Sequence, residues 1–453
     1  MKRALLALLL TGCLDVVEHG TPMALTVTTT DCSQRSVVGG ATQVSLTVTV
    51  GSRVLLARTD PIDAIPTRLG LPAAPDAQLR VVALDGSGQT VARGSSTHFE
   101  VVDGGSIEVE LFAVDRFSRL CTSLGQARAF HTATTLPDGR VLFVGGLGRT
   151  GEPISSMEVL STTASDVGPL ELVTPTGRFP MPRERHAAVL ASSGQVLISG
   201  GEVQAPLSTA LVVDPQLGFA TGALRATPRS RHAAFELDSA LFLYGGSTIE
   251  GGVAVADRRV ERLDLTTAAT LQTIATLPSA RLEAALTVSD STAYLAGGVE
   301  DGGVSAQVQR VLLDTHFVPP ALSLHTARRS ATAIGVGTRV LVAGGFGAAG
   351  EPLGSTEWLE TDFVDGPAIA PRGGACAVAL DGDAVLLVGG LDGNGPSAIA
   401  ERVGRASVTP VEFPGPARHG HACTKLDDGS VVVSGGLDAA GRPLDDLWRY
   451  TPR

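Results

Sequence analysis

The feature that most constrains the fold is a pair of adjacent glycines that ends an apolar run and recurs seven times. Successive pairs begin between 45 and 55 residues apart. A repeat of this length predicts similar structural units, each of which buries its faces against its neighbours. The glycines are expected where a strand turns with positive φ or where backbones approach closely. The doublets are Gly145-Gly146, Gly200-Gly201, Gly245-Gly246, Gly297-Gly298, Gly344-Gly345, Gly389-Gly390 and Gly435-Gly436.

A second marker keeps register with the doublets. An arginine precedes the first glycine of every doublet by 16 or 17 residues, and a histidine or alanine follows that arginine three positions later. We interpret the arginine as a structural donor to carbonyl groups between units, and the histidines as structural hydrogen-bonding groups. The arginines are Arg128, Arg183, Arg229, Arg281, Arg328, Arg372 and Arg418. The histidines are His131, His186, His232 and His421.

Each repeat predicts four short strands and little helix. Val385 to Val388 is a continuous apolar run, as expected for a strand covered on both faces. A third strand is typified by Glu357 to Leu359, and a fourth by Thr273 to Leu277. No long window carries apolar residues at helical spacing.

This pattern resembles the kelch repeat, in which a glycine doublet marks each four-stranded blade of a β-propeller. The resemblance covers about three quarters of the chain. It departs from the kelch pattern in the fourth strand, where the usual tryptophan is absent, since Trp358 and Trp448 fall in third strands. The resemblance implies an all-β fold with a seven-bladed kelch-type β-propeller over residues 113–453, of the kind seen in galactose oxidase.

The ends of the repeat region predict how such a ring would close. The last repeat ends after its third strand, Leu447 to Tyr450, and lacks a fourth. The stretch from Phe117 to Arg128, at the start of the first repeat, matches the stretch from Phe317 to Arg328 in outline, and the latter holds the fourth strand of a blade. We therefore expect residues 113–124 to complete the last blade and remove its free edge.

A small antiparallel β-sandwich, resembling an immunoglobulin-like module, is predicted over residues 22–112. Val44 to Val50 and Ser106 to Leu111 alternate apolar and polar side chains, as half-buried strands do. Further strands are expected at Arg53 to Arg58, Gln78 to Leu84 and His98 to Val102, separated by turn residues.

The N-terminus predicts export and lipidation. Residues 1–12 combine Lys2 and Arg3 with an apolar run too short to span a bilayer, which is typical of a signal peptide. Leu10 to Cys13 resembles the lipobox of Gram-negative lipoproteins, which implies cleavage before Cys13, its acylation and a lipidated tether over residues 13–21. Leu14 favours sorting to the outer membrane or cell surface. The predicted membrane partner is therefore reached through the lipid on Cys13.

Charge and cysteine content narrow the partners further. The net charge of −11 becomes −13 without Lys2 and Arg3, and no basic stripe compensates, so no nucleic-acid partner is predicted. An exported chain permits disulfides, and we pair Cys32 with Cys121. Cys376 and Cys423, in adjacent repeats, fit a bridge or two free thiols equally well.

No catalytic residues, metal site or cofactor are predicted. No cysteine pair has metal-ligand spacing, and hydrolase, zinc-protease and P-loop motifs are absent. Copper chemistry of the galactose oxidase kind needs a tyrosine crosslinked to cysteine, and Tyr244, Tyr294 and Tyr450 all fall at strand positions.

The predicted function is a binding or scaffolding module for a protein or glycan in the cell envelope. The alternative is a carbohydrate-active enzyme, resembling sugar epimerases of the kelch class, that uses loop carboxylates. We expect the binding face on the loops after the doublets, together with the segments just before each repeat arginine. The candidate loop residues are Arg149, Glu152, Glu202, Glu250, Glu300, Glu351, Asp392, Asn394 and Asp438.

Overall fold

The computed structural model describes residues 20–32, 34–96, 98–161, 166–169, 181–215, 219–225, 227–265, 271–300 and 303–453. The predicted signal peptide, Cys13 and most of the predicted tether lie outside these residues. Within them the chain is all-β, and the one helical element is a 3₁₀ turn at Ile62–Ala64. No helix in the described part is long and apolar enough to cross a membrane.

The chain divides into two units. Of the described residues, the first unit holds those in 20–30 and 36–112, and the second holds those in 31–35 and 113–453. The predicted boundary between residues 112 and 113 coincides with this division, apart from the short stretch 31–35.

The first unit contains two sheets, which are given in spatial order. The three-stranded sheet comprises Arg68–Leu71, Thr21–Thr28 and Ser106–Glu110. The five-stranded sheet comprises Arg53–Pro61, Ala41–Val50, Gln78–Asp85, Thr90–Ser95 and Phe112–Ala113.

Two features of this unit differ from the sequence prediction. Thr21–Thr28 runs parallel to Ser106–Glu110, so the unit is not purely antiparallel. The strand expected from His98 to Val102 is reduced to one bridge between Phe99 and Ala77. Asp103 and Gly104 follow in a turn, which leaves that segment too short to extend the pairing.

The described residues of the second unit form seven four-stranded antiparallel sheets, numbered here in chain order. Sheet 1 comprises Thr132–Thr135, Val141–Val144, Met157–Ser161 and Asp166–Pro169. Sheet 2 comprises Ala187–Leu190, Val196–Ser199, Thr209–Asp214 and Phe219–Arg225. Sheet 3 comprises Ala233–Leu237, Ala240–Tyr244, Arg259–Asp264 and Gln272–Thr276. Sheet 4 comprises Ala285–Ser289, Thr292–Ala296, Gln307–Leu312 and Leu322–Ser323.

The remaining sheets follow the same order. Sheet 5 comprises Thr332–Val336, Arg339–Ala343, Thr356–Leu359 and Phe363–Asp365. Sheet 6 comprises Cys376–Ala379, Val385–Val388, Ala400–Val403 and Val408–Val411. Sheet 7 comprises Ala422–Lys425, Val431–Ser434, Asp446–Thr451 and, from before sheet 1 in the chain, Arg116–Ser123. Three added hairpins follow the doublets of sheets 3, 4 and 6: Ser247–Glu250 with Val253–Ala256, Val299–Glu300 with Gly303–Val304, and Leu391–Asp392 with Gly395–Pro396.

The hydrophobic cores lie between successive sheets. The second strands are buried almost throughout, as their unbroken apolar sequences predict. Between sheets 6 and 7, for example, Leu386 and Val388 pack in one cluster with Val431, Val433 and Trp448. The first strand of each sheet contacts the first strand of the next, and that of sheet 7 contacts that of sheet 1.

The repeat arginines are buried at the start of each sheet. Arg328 is representative: it donates to the carbonyls of Gly344 and Ser355, at 2.9 and 3.0 Å, and to the carboxylate of Glu357, at 2.6 Å. Both charged side chains are wholly buried. The arginine thus joins the start of the first strand to the end of the second and to the third.

The glycine doublets connect one sheet to the next. Gly146 has φ 104°, and a Cβ added there would lie 2.7 Å from the Ala129 carbonyl, so a larger residue cannot be accommodated. Its amide donates to the carbonyl of Arg183, the arginine of sheet 2. The equivalent bond from Gly436 of sheet 7 reaches Arg128 of sheet 1.

The loss of stability on replacing a repeat arginine should depend on whether that arginine pairs with a buried carboxylate. Arg328→Met would leave the Glu357 carboxylate buried without its counter-charge, and we expect a loss of about 3–5 kcal/mol in the free energy of unfolding. Arg183 donates to the Gly200 carbonyl and the Thr209 hydroxyl, so Arg183→Met should cost only about 1–3 kcal/mol. Urea unfolding followed by the fluorescence of buried Trp358 and Trp448 measures both. Equal losses would contradict this account.

Candidate functional site

One geometry recurs at the end of each sheet where the first strand begins. The residue after each repeat arginine forms a bridge with the residue after the glycine doublet, as Glu184 does with Glu202 and Arg329 does with Phe346. The second residue after each repeat arginine has a left-handed backbone in all seven repeats. We call these seven the junction residues: Phe130, Arg185, Arg231, Glu283, Ser330, Gly374 and Gly420.

Backbone hydrogen bonds link junction residues of neighbouring sheets. The Phe130 amide donates to the Gly420 carbonyl, the Arg185 amide to the Phe130 carbonyl, and the Arg231 amide to the Arg185 carbonyl. A second run joins Glu283, Ser330 and Gly374 in the same way. The shared backbone conformation is therefore a requirement of packing these sheets side by side.

Five junction residues adopt this conformation although they carry side chains. Their φ values lie between 48° and 55°, in the region that favours glycine. Sheets 6 and 7 place glycine at the same position, so the fold itself is satisfied without a side chain there. Strained residues of this kind cluster at functional sites.

The first of two polar clusters at the junction centres on Glu202. Its carboxylate accepts hydrogen bonds from Arg185 and from the Ser230 hydroxyl, each at 2.8 Å, and lies 3.5 Å from Arg231. Arg185 also pairs with Glu184 at 2.8 Å and lies over the ring of Phe130, 4.0 Å from its centroid.

The pKa values of the two carboxylates in this cluster, Glu184 and Glu202, are shifted in opposite directions. Burial raises the pKa of Glu184, and the charge of Glu202 adds to that effect. Burial also opposes ionisation of Glu202, but the Ser230 hydroxyl and the guanidinium groups of Arg231 and Arg185 outweigh it and lower the pKa of Glu202. One oxygen of Glu184 is buried without a hydrogen-bond partner.

The second cluster centres on Glu283. Arg329 and the Ser330 hydroxyl each donate to its carboxylate at 2.7 Å. These two groups outweigh burial and lower the pKa of Glu283. The guanidinium of Arg329 also lies 5.6 Å from the centroid of the Phe346 ring.

A cavity of about 420 Å³ lies between these clusters. Its polar lining includes Glu202, Arg231, Glu283 and Ser330, and its apolar wall comes from sheets 3 and 4, including Ile249 on the added hairpin of sheet 3. Arg231 has 55% of its side chain exposed and no strong partner among the described residues beyond the 3.5 Å contact with Glu202. It is therefore the guanidinium in this cavity best placed to bind a ligand.

The predicted loop residues are dispersed around this end of the sheets. Of the nine, Glu202 lines the 420 Å³ cavity within the described ranges. Arg149 and Asp438 line a separate cavity of about 450 Å³, where Arg149 pairs with Asp445 at 2.6 Å. Glu300 borders a third, of about 590 Å³, with Gln309.

The other five candidates line none of these three cavities. Glu152, Glu250, Glu351 and Asn394 are exposed, and Asp392 accepts a hydrogen bond from the Asn394 amide within its turn.

The expectation that the segments just before each repeat arginine contribute to the binding face stays a prediction. The polar clusters lie one and two residues after the arginines, because the left-handed turn directs those positions toward the neighbouring sheet. The sequence does carry a signal for them. These two positions vary from Gly-Gly to Glu-Arg between repeats whose flanking arginine is invariant.

The repeat histidines bind the preceding sheet through Nε2. His131 contacts the Ser434 hydroxyl, His186 the Thr132 hydroxyl, and His232 the Ser199 hydroxyl, at 2.8 to 2.9 Å. Burial, with help from nearby arginines, lowers the pKa of His186 to about 3, so the imidazole is neutral in the folded protein.

Two disulfides are present in the described residues. Cys32 is bonded to Cys121, with Cα atoms 5.1 Å apart, and both belong to the second unit. Cys376 is bonded to Cys423, with Cα atoms 6.1 Å apart, across sheets 6 and 7.

Comparison with known proteins gives limited guidance. No protein-family profile and no curated protein matches the chain. The solved structure titled "Structure of YjhT" is similar over 59% of this chain and 94% of its own, with 14% sequence identity and a TM-score of 0.48. A likeness at this level assigns neither a family nor an activity.

Neutral buried histidines predict a loss of stability in acid. Below pH 6.5 His186 becomes protonated in the unfolded chain, whereas in the folded protein it stays neutral down to about pH 3. The free energy of unfolding therefore falls as the pH drops from 6.5 to 3. At pH 5 the effect is about 2 kcal/mol for this residue. His186→Gln should reduce the pH slope of the unfolding free energy between pH 7 and 5, whereas His316→Gln, at an exposed position, should not. Parallel slopes for the two variants would refute this prediction.

Proposed function

We propose that residues 113–453 form a seven-bladed β-propeller of kelch type and that residues 22–112, which precede it in the sequence, form a small β-sandwich. Seven four-stranded sheets with first strands in contact, including sheet 7 with sheet 1, support the ring. The pairing of Arg116–Ser123 with Asp446–Thr451 supports its closure by a strand from the N-terminal side. One-sided burial of alternate residues in Gln78–Asp85 and Ser106–Glu110 supports the sandwich.

The propeller is proposed to bind a protein or glycan ligand at the junction end of its sheets. The observation that carries this proposal is the contrast among junction residues. Glycine satisfies the backbone in sheets 6 and 7, yet sheets 1 to 5 keep side chains there at a cost in strain. Three of those side chains, from Arg231, Glu283 and Ser330, line one cavity. A concave site with a few convergent polar groups and an apolar wall is the usual form of a ligand site.

The cellular setting of this activity is proposed to be the bacterial envelope. The lipobox-like Leu10 to Cys13 supports a lipoprotein of the outer membrane or cell surface, with the acylated Cys13 as its membrane contact. The acidic chain fits a role in which neither nucleic acid nor anionic headgroups are partners.

A carbohydrate-active enzyme is the second candidate, and one observation favours it. Glu184 and Glu202 lie in one cluster with pKa values shifted in opposite directions, which is the arrangement of an acid and a base in general acid–base catalysis. In that case Glu184, whose pKa is raised, would serve as the acid, and Glu202, whose pKa is lowered, as the base. Turnover of a bound sugar that is lost in Glu184→Gln would favour the enzyme, whereas binding without turnover favours the binding module.

The binding proposal predicts a ligand whose affinity depends on Arg231. The full chain with Cys13→Ser, which removes the lipid, would be screened on a glycan array and against envelope extract. For any ligand found, Arg231→Ala should weaken binding at least about tenfold, since a charge-assisted hydrogen bond contributes about 1.5–3 kcal/mol. Arg53→Ala, which removes an exposed arginine from the first unit, is the matched control. Ligands that bind equally well to both variants would place the site elsewhere.

A further inference from the structure

The contact between sheets 6 and 7 gathers two sulfurs and an imidazole. Cys376 begins the first strand of sheet 6, whereas Cys423 lies in the first strand of sheet 7 and His421 immediately precedes that strand. One ligand atom from each of the three residues lies within 4.8 Å of the others. Both cysteines are half-buried, so the group is not sealed from solvent.

His421 differs from the other three repeat histidines in its partner. His131, His186 and His232 each contact a serine or threonine hydroxyl of the preceding sheet. At the contact between sheets 6 and 7 the hydroxyls are missing. The position of Thr132 is taken by Cys376, and that of Ser199 by Val388. His421 Nε2 lies instead 3.1 Å from the Val388 carbonyl oxygen.

A carbonyl partner fixes the tautomer of His421. A carbonyl oxygen can only accept, so Nε2 must carry the hydrogen and donate it. Nδ1 then carries the lone pair, and like Nδ1 of the other three repeat histidines it is buried without a hydrogen-bond partner, so the two neighbouring sulfurs are what distinguish this position. An imidazole held through one nitrogen by a carbonyl, with the other nitrogen free, is how proteins present histidine to a metal.

We propose that Cys376, Cys423 and His421 form a binding site for a thiophilic d¹⁰ metal ion, Zn²⁺ or Cu⁺, when the two cysteines are reduced. Two thiolates and one neutral imidazole suit either ion, and a fourth position is left open to solvent or substrate. The disulfide and the metal site are then alternative states of one pair of sulfurs.

The two states interconvert with a defined balance. A dithiol reductant transfers two electrons to the Cys376–Cys423 disulfide. This breaks its S–S bond and yields two thiols, and the reductant becomes a disulfide. A divalent ion then displaces the two thiol protons and binds the thiolates, while His421 contributes its lone pair without releasing a proton.

The site cannot be recognised from the spacing of its residues along the sequence. Cys376 and Cys423 are 47 residues apart, which is not a metal-ligand spacing, so the sequence alone predicts no metal site here. They meet because they stand four and five residues after successive repeat arginines, on facing sides of neighbouring first strands. This inference is independent of the proposed ligand site at the junction end.

The test uses the full chain, reduced with a phosphine that is then removed, and Cd²⁺ as a probe with ultraviolet thiolate-to-metal charge-transfer absorption. The reduced protein should bind one Cd²⁺ at this pair. The variant Cys376→Ser/Cys423→Ser should lose the absorption of this site and keep only what the reduced Cys32 and Cys121 contribute. His421→Gln should bind at least tenfold more weakly, whereas His232→Gln, at the equivalent position of sheet 3, should bind like the wild type.

A second measurement avoids variants that fail to fold. X-ray absorption fine structure of the Zn²⁺-loaded wild type should show two sulfur ligands and an imidazole nitrogen. Absorption as strong in the double cysteine variant as in the wild type would overturn the proposal. So would equal affinity in the two histidine variants, or a zinc shell without nitrogen.

Discussion

The buried repeat arginine is the interaction on which the rest of the second unit depends. Its guanidinium holds the first, second and third strands of one sheet together, as Arg328 does through Gly344, Ser355 and Glu357. Its own carbonyl accepts the amide of a glycine from the preceding sheet, as Arg183 does from Gly146. Such hydrogen bonds stabilise a buried charge. In six of the seven described repeats, all but that of Arg281, the arginine therefore fixes both the interior of its sheet and the contact with the sheet before it.

The repeat arginine also positions the junction residues, where ligand binding is proposed. Two residues after the arginine the chain must take a left-handed turn to meet the neighbouring sheet. The turn is constant, but the side chain on it is free to vary, so seven equivalent positions become a variable surface on a fixed frame. Gly374 and Gly420 adopt the left-handed backbone without a side chain. Arg231 and Glu283 adopt the same backbone and add side chains that line the cavity.

Much of this architecture follows from sequence periodicity, whereas the site does not. Doublets and arginines at a constant offset indicate repeated strands, and Val385–Val388 is buried as its apolar run requires. The carboxylate partners in the third strands, such as Glu357 and Glu401, recur in five of the seven repeats but were missed, because loops of different length vary their separation from the arginine between 28 and 32 residues. The pairing of Glu202 with Arg185 and the meeting of Cys376 with His421 depend on which faces of neighbouring sheets touch. That is a property of packing rather than of spacing.

The central claim is that the junction keeps side chains on a backbone suited to glycine. It is tested most directly by comparing the unfolding free energies of Arg231→Gly and Arg231→Ala. Both variants remove the same guanidinium, and they differ only in the Cβ at a φ of 55°. The account predicts that the glycine variant is more stable by about 1 kcal/mol, because a left-handed backbone costs a residue with a side chain about that much. A more stable alanine variant, as in an ordinary strand, would contradict it.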